Sequence, residues 1–403
     1  MLFAPGLRRP VGEGVVTTVR AAVPRASSAL GAATACYALA MSVFGTTTSL
    51  FLADEAGAGP GRVGLYFVLS AVVSVGLGLT VGRWSDRLAD RRNVLVLAAL
   101  AGVAGAGGFA LVREYWLVCA TGALLGGLAQ TFASQVFAYA RELSELTGRS
   151  LARGTASVRA VFSAGWVLGP PAGLFLLTRT GFGTLYAGLA ALLLLAALLA
   201  RWVLPRVPRA RTPATGLRQA LAQVPRPTWL LLGAATAVNV ADGMYLIALA
   251  PHVTLDLDLS PALVGVLAGT CAALEIPVLV GVGRLVGRLG EERLVRGAAV
   301  LAAGFFVLMP FAASGPYLLL LQVPNALWTA VLASLPMVLV QREIPGGAGT
   351  AAALFSATFP VAQLLSGALT GLVAARTGYG GTFWCGAVLC ALACVLLRAR
   401  REA

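Results

Sequence analysis

Charge is what this chain has least of. Its 403 residues include 30 Lys+Arg and 16 Asp+Glu, 11% in all, where an ordinary soluble domain carries roughly 25%. So little polar surface cannot keep a chain of this length in water, which excludes a soluble enzyme at the outset. Lysine is missing altogether, every basic residue being arginine; we read this as compositional bias without functional weight. A single histidine, His252, leaves no His cluster for a metal site or a nucleophilic triad. The six cysteines (Cys36, Cys119, Cys271, Cys385, Cys390 and Cys394) show no CxxC or Cys/His ligand spacing and read as small apolar packing residues. No Walker loop and no acid-rich metal motif occurs, and no connection is long enough to hold a catalytic domain. The sequence therefore calls for no enzyme activity, no metal and no cofactor. Residues 1–25 hold Arg8, Arg9, Arg20, Arg25 and three prolines but no apolar h-region, so they read as a tail and not as a cleaved signal.

Apolar residues are what the chain has in abundance: 58% are hydrophobic and the mean hydropathy is +0.85. Runs of some twenty such residues recur, each long enough to cross roughly 30 Å of hydrocarbon at about 1.5 Å per residue. Twelve spans are predicted, at 27–53, 62–82, 93–112, 116–140, 155–178, 183–203, 228–251, 262–283, 295–313, 316–340, 350–375 and 380–398. Between spans 6 and 7, residues 204–227 carry five prolines and five arginines and read as a solvated linker. The predicted organisation is thus a tail (1–26), a six-helix half (27–203), the linker (204–227), a second six-helix half (228–398) and a short C-terminal tail (399–403).

A net charge of +14 would suit nucleic acid, but the arginines lie in short loops between apolar spans, where membrane topology explains them. Twenty-five fall in the two tails and in alternate connections, four (Arg62, Arg113, Arg179 and Arg376) in the remaining connections, and Arg159 lies inside span 5. By the positive-inside rule the arginine-rich side, with both termini, is cytoplasmic.

The halves repeat. Gly82-Arg-Trp-Ser-Asp86-Arg87-Leu-Ala-Asp-Arg91-Arg92 follows span 2, and Gly283-Arg-Leu-Val-Gly287-Arg288 follows span 8 at an offset of 201 residues. Gly165 and Gly169 of span 5 likewise have Gly367 and Gly371 in span 11. Parallel repeats of this kind imply an axis along the membrane normal and a central site between the halves, the architecture of rocking transporters.

On these segments the chain resembles the major facilitator superfamily over nearly its whole length. Loop 2–3 is similar to the superfamily's G-x-x-x-D-R-x-G-R-R motif through Gly82, Asp86, Arg87, Arg91 and Arg92, with Ala89 in place of the second glycine. Span 5 carries Gly165-x-x-x-Gly169-Pro170-x-x-Gly173, which resembles the motif of its proton-driven exporters. Within the superfamily, Val158-Arg159, Gly243-Met244-Tyr245, Leu274-Glu275-Ile276-Pro277 and Leu321-Gln322-x-x-Asn325-Ala326 are most similar to the bacterial sugar efflux transporter (SET) family. One departure stands out: many superfamily exporters carry an arginine in span 4, where this chain has Gln130, Ser134 and Gln135 and no charge. The resemblance implies an all-α fold of twelve spans in two halves and gating roles for the loop 2–3 and span 5 motifs. Asp86 could latch the arginine-rich side, or the loop could only fix orientation. The span 5 glycines could seal a leak path or simply pack helices closely.

Ionisable groups within spans are costly and mark function. Arg159, Asp242 and Glu275 are the clear cases, read as proton-coupling candidates because a carboxylate withdrawn from water favours its neutral form and can trade protons. A structural polar knot for Asp242 and snorkelling for Arg159 remain open. Asn239, Asp242 and Tyr245 step by three along span 7, and Gln322, Asn325 and Trp328 step by three along span 10. The resemblance implies that spans 1, 4, 7 and 10 line the central cavity, so Tyr37, Gln130, Ser134 and these six residues are the substrate-binding candidates. Neutral hydrogen-bonding groups beside aromatic faces suit a sugar, whose hydroxyls need partners and whose C–H face stacks on rings. The reading that emerges is a monomeric proton antiporter in the bacterial cytoplasmic membrane. Its partners are protons, lipid and a sugar or sugar-like glycoside, exported by alternating access. Antibiotic or metabolite efflux stands as the alternative; uptake by symport, a membrane enzyme and a transport-dead sensor stand further off.

Overall fold

A computed structural model of the chain describes residues 13–85, 90–147, 151–206, 224–344 and 348–402. Everything regular in it is helical, as apolar spans demand: hydrocarbon offers no partner to a backbone N–H or C=O, so each segment must bond its own. Helix Glu13–Asp54 carries span 1 and extends back into the N-terminal tail. Pro60–Ser85 and Arg92–Leu111 carry spans 2 and 3. Span 4 is built from Tyr115–Thr121 and Gly127–Thr147 around a π-helical turn at Gly122–Gly126. In the second half Arg226–Pro251, Pro261–Leu289, Glu291–Leu308 and Gly315–Glu343 carry spans 7 to 10.

Spans 5 and 6 form one 52-residue run, Leu151–Trp202, that reverses at Gly181 (φ 79°). Spans 11 and 12 form a 55-residue run, Ala348–Glu402, that reverses at Gly378 (φ 74°). Both φ values lie in the left-handed region that glycine enters without a Cβ clash. The connections expected there are therefore single-glycine corners at equivalent places in the two halves. Ten apolar helical runs long enough to cross a bilayer occur among the described residues, and the two longest, of 46 and 48 residues, each have room for two crossings. This is consistent with twelve spans. Large apolar side chains such as Leu79, Val280, Val300, Leu320 and Val388 face outward, as lipid contact requires.

The halves meet through glycine. Where span 2 crosses span 11, a Cβ on Gly64 would run into the Gly371 backbone and one on Gly367 would come within 2.8 Å of the Phe67 Cβ. Where span 5 crosses span 8, a Cβ on Gly265 would lie 2.7 Å from the Pro170 carbonyl oxygen, and one on Gly269 would overlap the Pro171 ring. Both crossings sit toward the arginine-poor end. Toward the other end the helices part. Apart from the adjoining residues and backbone of its own helix, no described atom lies within 4 Å of a Cβ built on Gly76, Gly78 or Gly82 of span 2, or on Gly281, Gly283 or Gly287 of span 8. Among the described residues, the halves are thus packed backbone to backbone at two crossings toward the arginine-poor end, and spans 2 and 8 stand clear of such contacts toward the arginine-rich end.

Candidate functional site

Asp242 and Glu275 stand on neighbouring spans, 7 and 8, both half-buried and within electrostatic range of each other. No described cation lies within ion-pair distance of either. The local sequence explains the placement. Gly243, beside Asp242, lets span 11 come close enough that a Cβ there would lie 2.6 Å from Ser366 Oγ. Pro277, two residues past Glu275, removes the amide that would bond the Ala273 carbonyl and loosens span 8 at that point. Cys271, one turn before Glu275, lies within range of both carboxylates and contacts Thr329 of span 10. Asn239, one turn before Asp242, donates through Nδ2 to Thr358 Oγ1 of span 11 at 3.2 Å. Cys271, Thr329 and Thr358 were not among the candidates; each stands at or near a span position shared with one that was, at i−4, i+4 or across a neighbouring span.

The amide face of span 10 points into the second half. Gln322, Asn325 and Trp328 are buried, at no more than 2% exposure. Gln322 Oε1 accepts from Asn325 Nδ2 at 2.9 Å and from the Tyr245 hydroxyl at 3.3 Å. Gln322 Nε2 donates to the Leu318 carbonyl at 3.0 Å. Trp328 packs beside Phe305 and Phe306 of span 9, with ring centroids 6.3 and 6.2 Å away. Two polar atoms in this cluster, Asn325 Oδ1 and Trp328 Nε1, are buried without a hydrogen-bond partner. The structure thus brings Tyr245, Gln322, Asn325 and Trp328 together beneath the surface, with Tyr245 within electrostatic range of Asp242 on the same span.

In the first half, Tyr37 is buried, stacked on Phe132 at 4.5 Å and edge-on to Phe162. Gln130 and Ser134, one turn apart on span 4, are uncovered; the Ser134 hydroxyl turns back to the Thr131 carbonyl at 2.9 Å. Arg159 is exposed. The span 5 motif shows two faces. Added Cβ atoms on Gly165, Gly169 and Gly173 would strike Ala38, Ser42 and Val43 of span 1, whereas Pro170 and Pro171 meet span 8 of the other half. Ser42 Oγ donates to the Gly165 carbonyl at 2.9 Å. At the 201-residue offset of the repeat the pair reverses as Gly243 and Ser366, the serine now on the later span.

Of the loop 2–3 candidates, Asp86 and Arg87 lie outside the described residues, and Gly82 is unopposed. Arg91 donates to Glu142 Oε1 at 3.0 Å and to Gln135 Oε1 at 2.5 Å, tying span 3 to span 4. Arg92 donates to the Arg201 and Leu204 carbonyls at 3.3 and 3.2 Å, capping the end of span 6. Both arginines therefore bind within their own half. The second half has its own network, in which Glu343 is paired by Arg400 and accepts from the Thr228 hydroxyl at 2.6 Å.

The family profile described as Major Facilitator Superfamily matches residues 30–240 and again 231–403, once per half. The chain belongs to the major facilitator superfamily. This transporter is 35% identical over 337 residues to sugar efflux transporter A of Dickeya chrysanthemi, covering 84% of this chain and 86% of that protein. It is 31% identical to sugar efflux transporter A of Escherichia coli K12, covering 87% and 90%. Sugar efflux transporter B of Salmonella typhimurium LT2 is 32% identical, over 84% and 86%. Among solved structures, the nucleoside transporter NupG superposes with a TM-score of 0.77 at 14% identity, over 94% of this chain and 99% of that one. A bacterial homologue of the iron transporter ferroportin, in an inward-facing state, superposes with a TM-score of 0.74 at 16% identity over 94% and 100%. The transporter is thus a multi-pass membrane protein of the superfamily's fold and a relative of the sugar efflux transporters.

Proposed function

We propose that this transporter exports sugars or sugar-like glycosides from the bacterial cytoplasm in exchange for protons. The observation that carries the reading is likeness along four-fifths or more of the chain to three proteins named as sugar efflux transporters. The chemistry of the spans supports it. Amides, hydroxyls and aromatic rings gather around Tyr245 and Gln322, groups that match sugar hydroxyls and sugar C–H faces. Asp242 and Glu275 supply the proton side. Two like charges close together in a low-dielectric interior repel, and a proton taken up by either relieves that repulsion. Antiport then follows if proton and sugar occupy this region alternately as the halves rock about the glycine crossings. The positive-inside rule assigns the arginine-rich end to the cytoplasm, together with both termini. Two complete halves in one chain make a monomer sufficient.

The test is proton flux in sealed proteoliposomes carrying an internal pH dye, on addition of mono- and disaccharides and their glycosides. The protein as isolated is run beside Glu275→Gln and Asp242→Asn. Sugar-dependent proton movement lost in either variant supports antiport and names the coupling carboxylate. No flux with any sugar overturns the sugar reading. The glycine–proline motif of span 5 favours export of any substrate class equally, so an antibiotic panel is then the next measurement.

A further inference from the structure

The sole histidine occupies a position that the first half fills with phenylalanine. At the repeat offset of 201 residues, His252 corresponds to Phe51, Asp256 to Glu55, and Phe383 to Phe182. The packing repeats as well. Phe51 meets Phe182 edge-on at 5.3 Å and 77°, and His252 meets Phe383 edge-on at 5.1 Å and 80°. What differs is the cation. In the first half Glu55 is paired by Arg113, 2.5 Å away, whose guanidinium also lies 5.2 Å over the Phe51 ring. The position equivalent to Arg113 is the neutral Ser314. In its place, His252 Nδ1 bonds Asp256 Oδ2 at 2.9 Å. An arginine–glutamate pair in one half is matched by a histidine–aspartate pair in the other.

We propose that His252 is a proton-binding site at the arginine-poor end of the transporter, held by Asp256 and coupled to the corner between spans 11 and 12. With Nδ1–H donating to the carboxylate, the free lone pair is on Nε2, which is buried and unpartnered. A hydronium ion from that side gives up a proton to Nε2: one of its O–H bonds breaks, Nε2–H forms, water is left, and the Nδ1–H···Oδ2 bond becomes an ion pair. The same Oδ2 accepts the Gly380 N–H at 3.0 Å, and a Cβ on Gly380 would lie 2.9 Å from His252 Cε1. The imidazole is therefore wedged beneath the corner at Gly378. Span 11 leads from that corner straight to the Gly64–Gly371 crossing that closes this end. Protonation tightens the hold on the corner, so acid on this side favours the closed crossing.

The other groups around the imidazole do not compete for that role. Asp256 is on its own turn. Tyr379, on the corner, lies within electrostatic range of Asp256, and its hydroxyl is buried and unpartnered. Arg376 turns away to the Leu372 carbonyl at 3.1 Å. Asp258, on the way to span 8, is exposed, and residues 261–270 of span 8 carry no charge.

Because His252 is the only histidine, histidine-labelled full-length protein in lipid nanodiscs, prepared without a histidine tag, gives one imidazole spin system. Its nitrogen shifts should report the change from a neutral form protonated at Nδ1 to the imidazolium as the medium is acidified. Spin labels across spans 2 and 11 at the arginine-poor end should show the closed population rising as pH falls, with the same midpoint. His252→Phe, which copies the first half, and Asp256→Asn, which keeps an acceptor but withdraws the charge, should each abolish that pH dependence. An imidazole that holds one charge state throughout the acidification overturns the proposal, as does pH dependence that survives both variants. Neither readout requires a sugar, so this result is separable from the fate of the transport reading.

Discussion

Gln322 concentrates three hydrogen bonds on one buried amide, and its Oε1 serves two donors. Replacing it by leucine strips the Tyr245 hydroxyl and Asn325 Nδ2 of their acceptor at once, at about 1–3 kcal/mol for each buried group left unpaired. Asn325→Leu removes an amide whose Oδ1 has no partner in any case. Thermal unfolding in detergent should therefore show the larger loss for Gln322→Leu. The reverse order would mean that Asn325, and not Gln322, is the centre of the network. The buried Arg91–Glu142 pair makes a second residue-scale case, with both side chains at most 12% exposed. Glu142→Leu takes the carboxylate away from a buried guanidinium, and removing one partner of a buried pair costs about 3 kcal/mol. Truncating an exposed arginine such as Arg288, in the last turn of the span 8 helix, should be nearly neutral in the same assay. Here the limits of sequence are plain. Counting arginines by loop revealed the topology signal, but a count cannot say that Arg91 and Arg92 are bound to spans 4 and 6. His252 was set aside because one histidine cannot make a cluster, although Asp256 at i+4 was the available sign of its pairing.

A helix face is legible in spacing; the neighbour it faces is not. Gly165, Gly169 and Gly173 recur every four residues, so their sharing a face could be read directly. That the face meets span 1, while the prolines between them meet span 8, depends on how twelve spans pack. The same holds for span 10, whose three-residue step placed Gln322, Asn325 and Trp328 together correctly but gave no hint that they point into the half and not outward. The single-glycine corners at Gly181 and Gly378 were hidden because the expected loops there and the observed turns have nearly the same length. The span 1–span 5 contact is open to a direct test. A Cβ on Gly169 would overlap Ser42 Oγ, so Gly169→Ala should destabilise the protein by about 1–3 kcal/mol through overpacking. Ser42→Gly opens that space while giving up the bond to the Gly165 carbonyl. The double variant should be more stable than the two single losses added together, with a coupling of at least ~0.5 kcal/mol. Strict additivity in thermal unfolding would show that the two residues do not share the contact.

At the scale of the whole molecule, spans, repeat and arginine asymmetry were all present in the sequence, because bilayer thickness and the positive-inside rule act on local composition. The state of the molecule was not, since closure at one end is a property of the packing between halves. The crossings at Gly64–Gly371 and Gly265–Pro171 admit backbone contact only because no Cβ intervenes. A bulky residue there should act as a wedge, and its effect should appear at both ends of the transporter at once. Consider spin labels at Gly59 and Arg376, exposed at the arginine-poor end, and at Leu79 and Phe359, exposed on spans 2 and 11 toward the other end. In lipid the first pair should report a short, narrow distance and the second a long one. Gly371→Leu should lengthen the first and shorten the second, because two packed halves that pivot cannot open both ends without losing their whole interface. Gly269→Leu, at the other crossing, should do the same through the span 5–span 8 contact. If both distances lengthen together, the halves separate instead of rocking, and the glycine crossings are simple packing. If they move in opposite senses, the crossings are the fulcrum, and a transported sugar should populate the same second state in the unmodified protein.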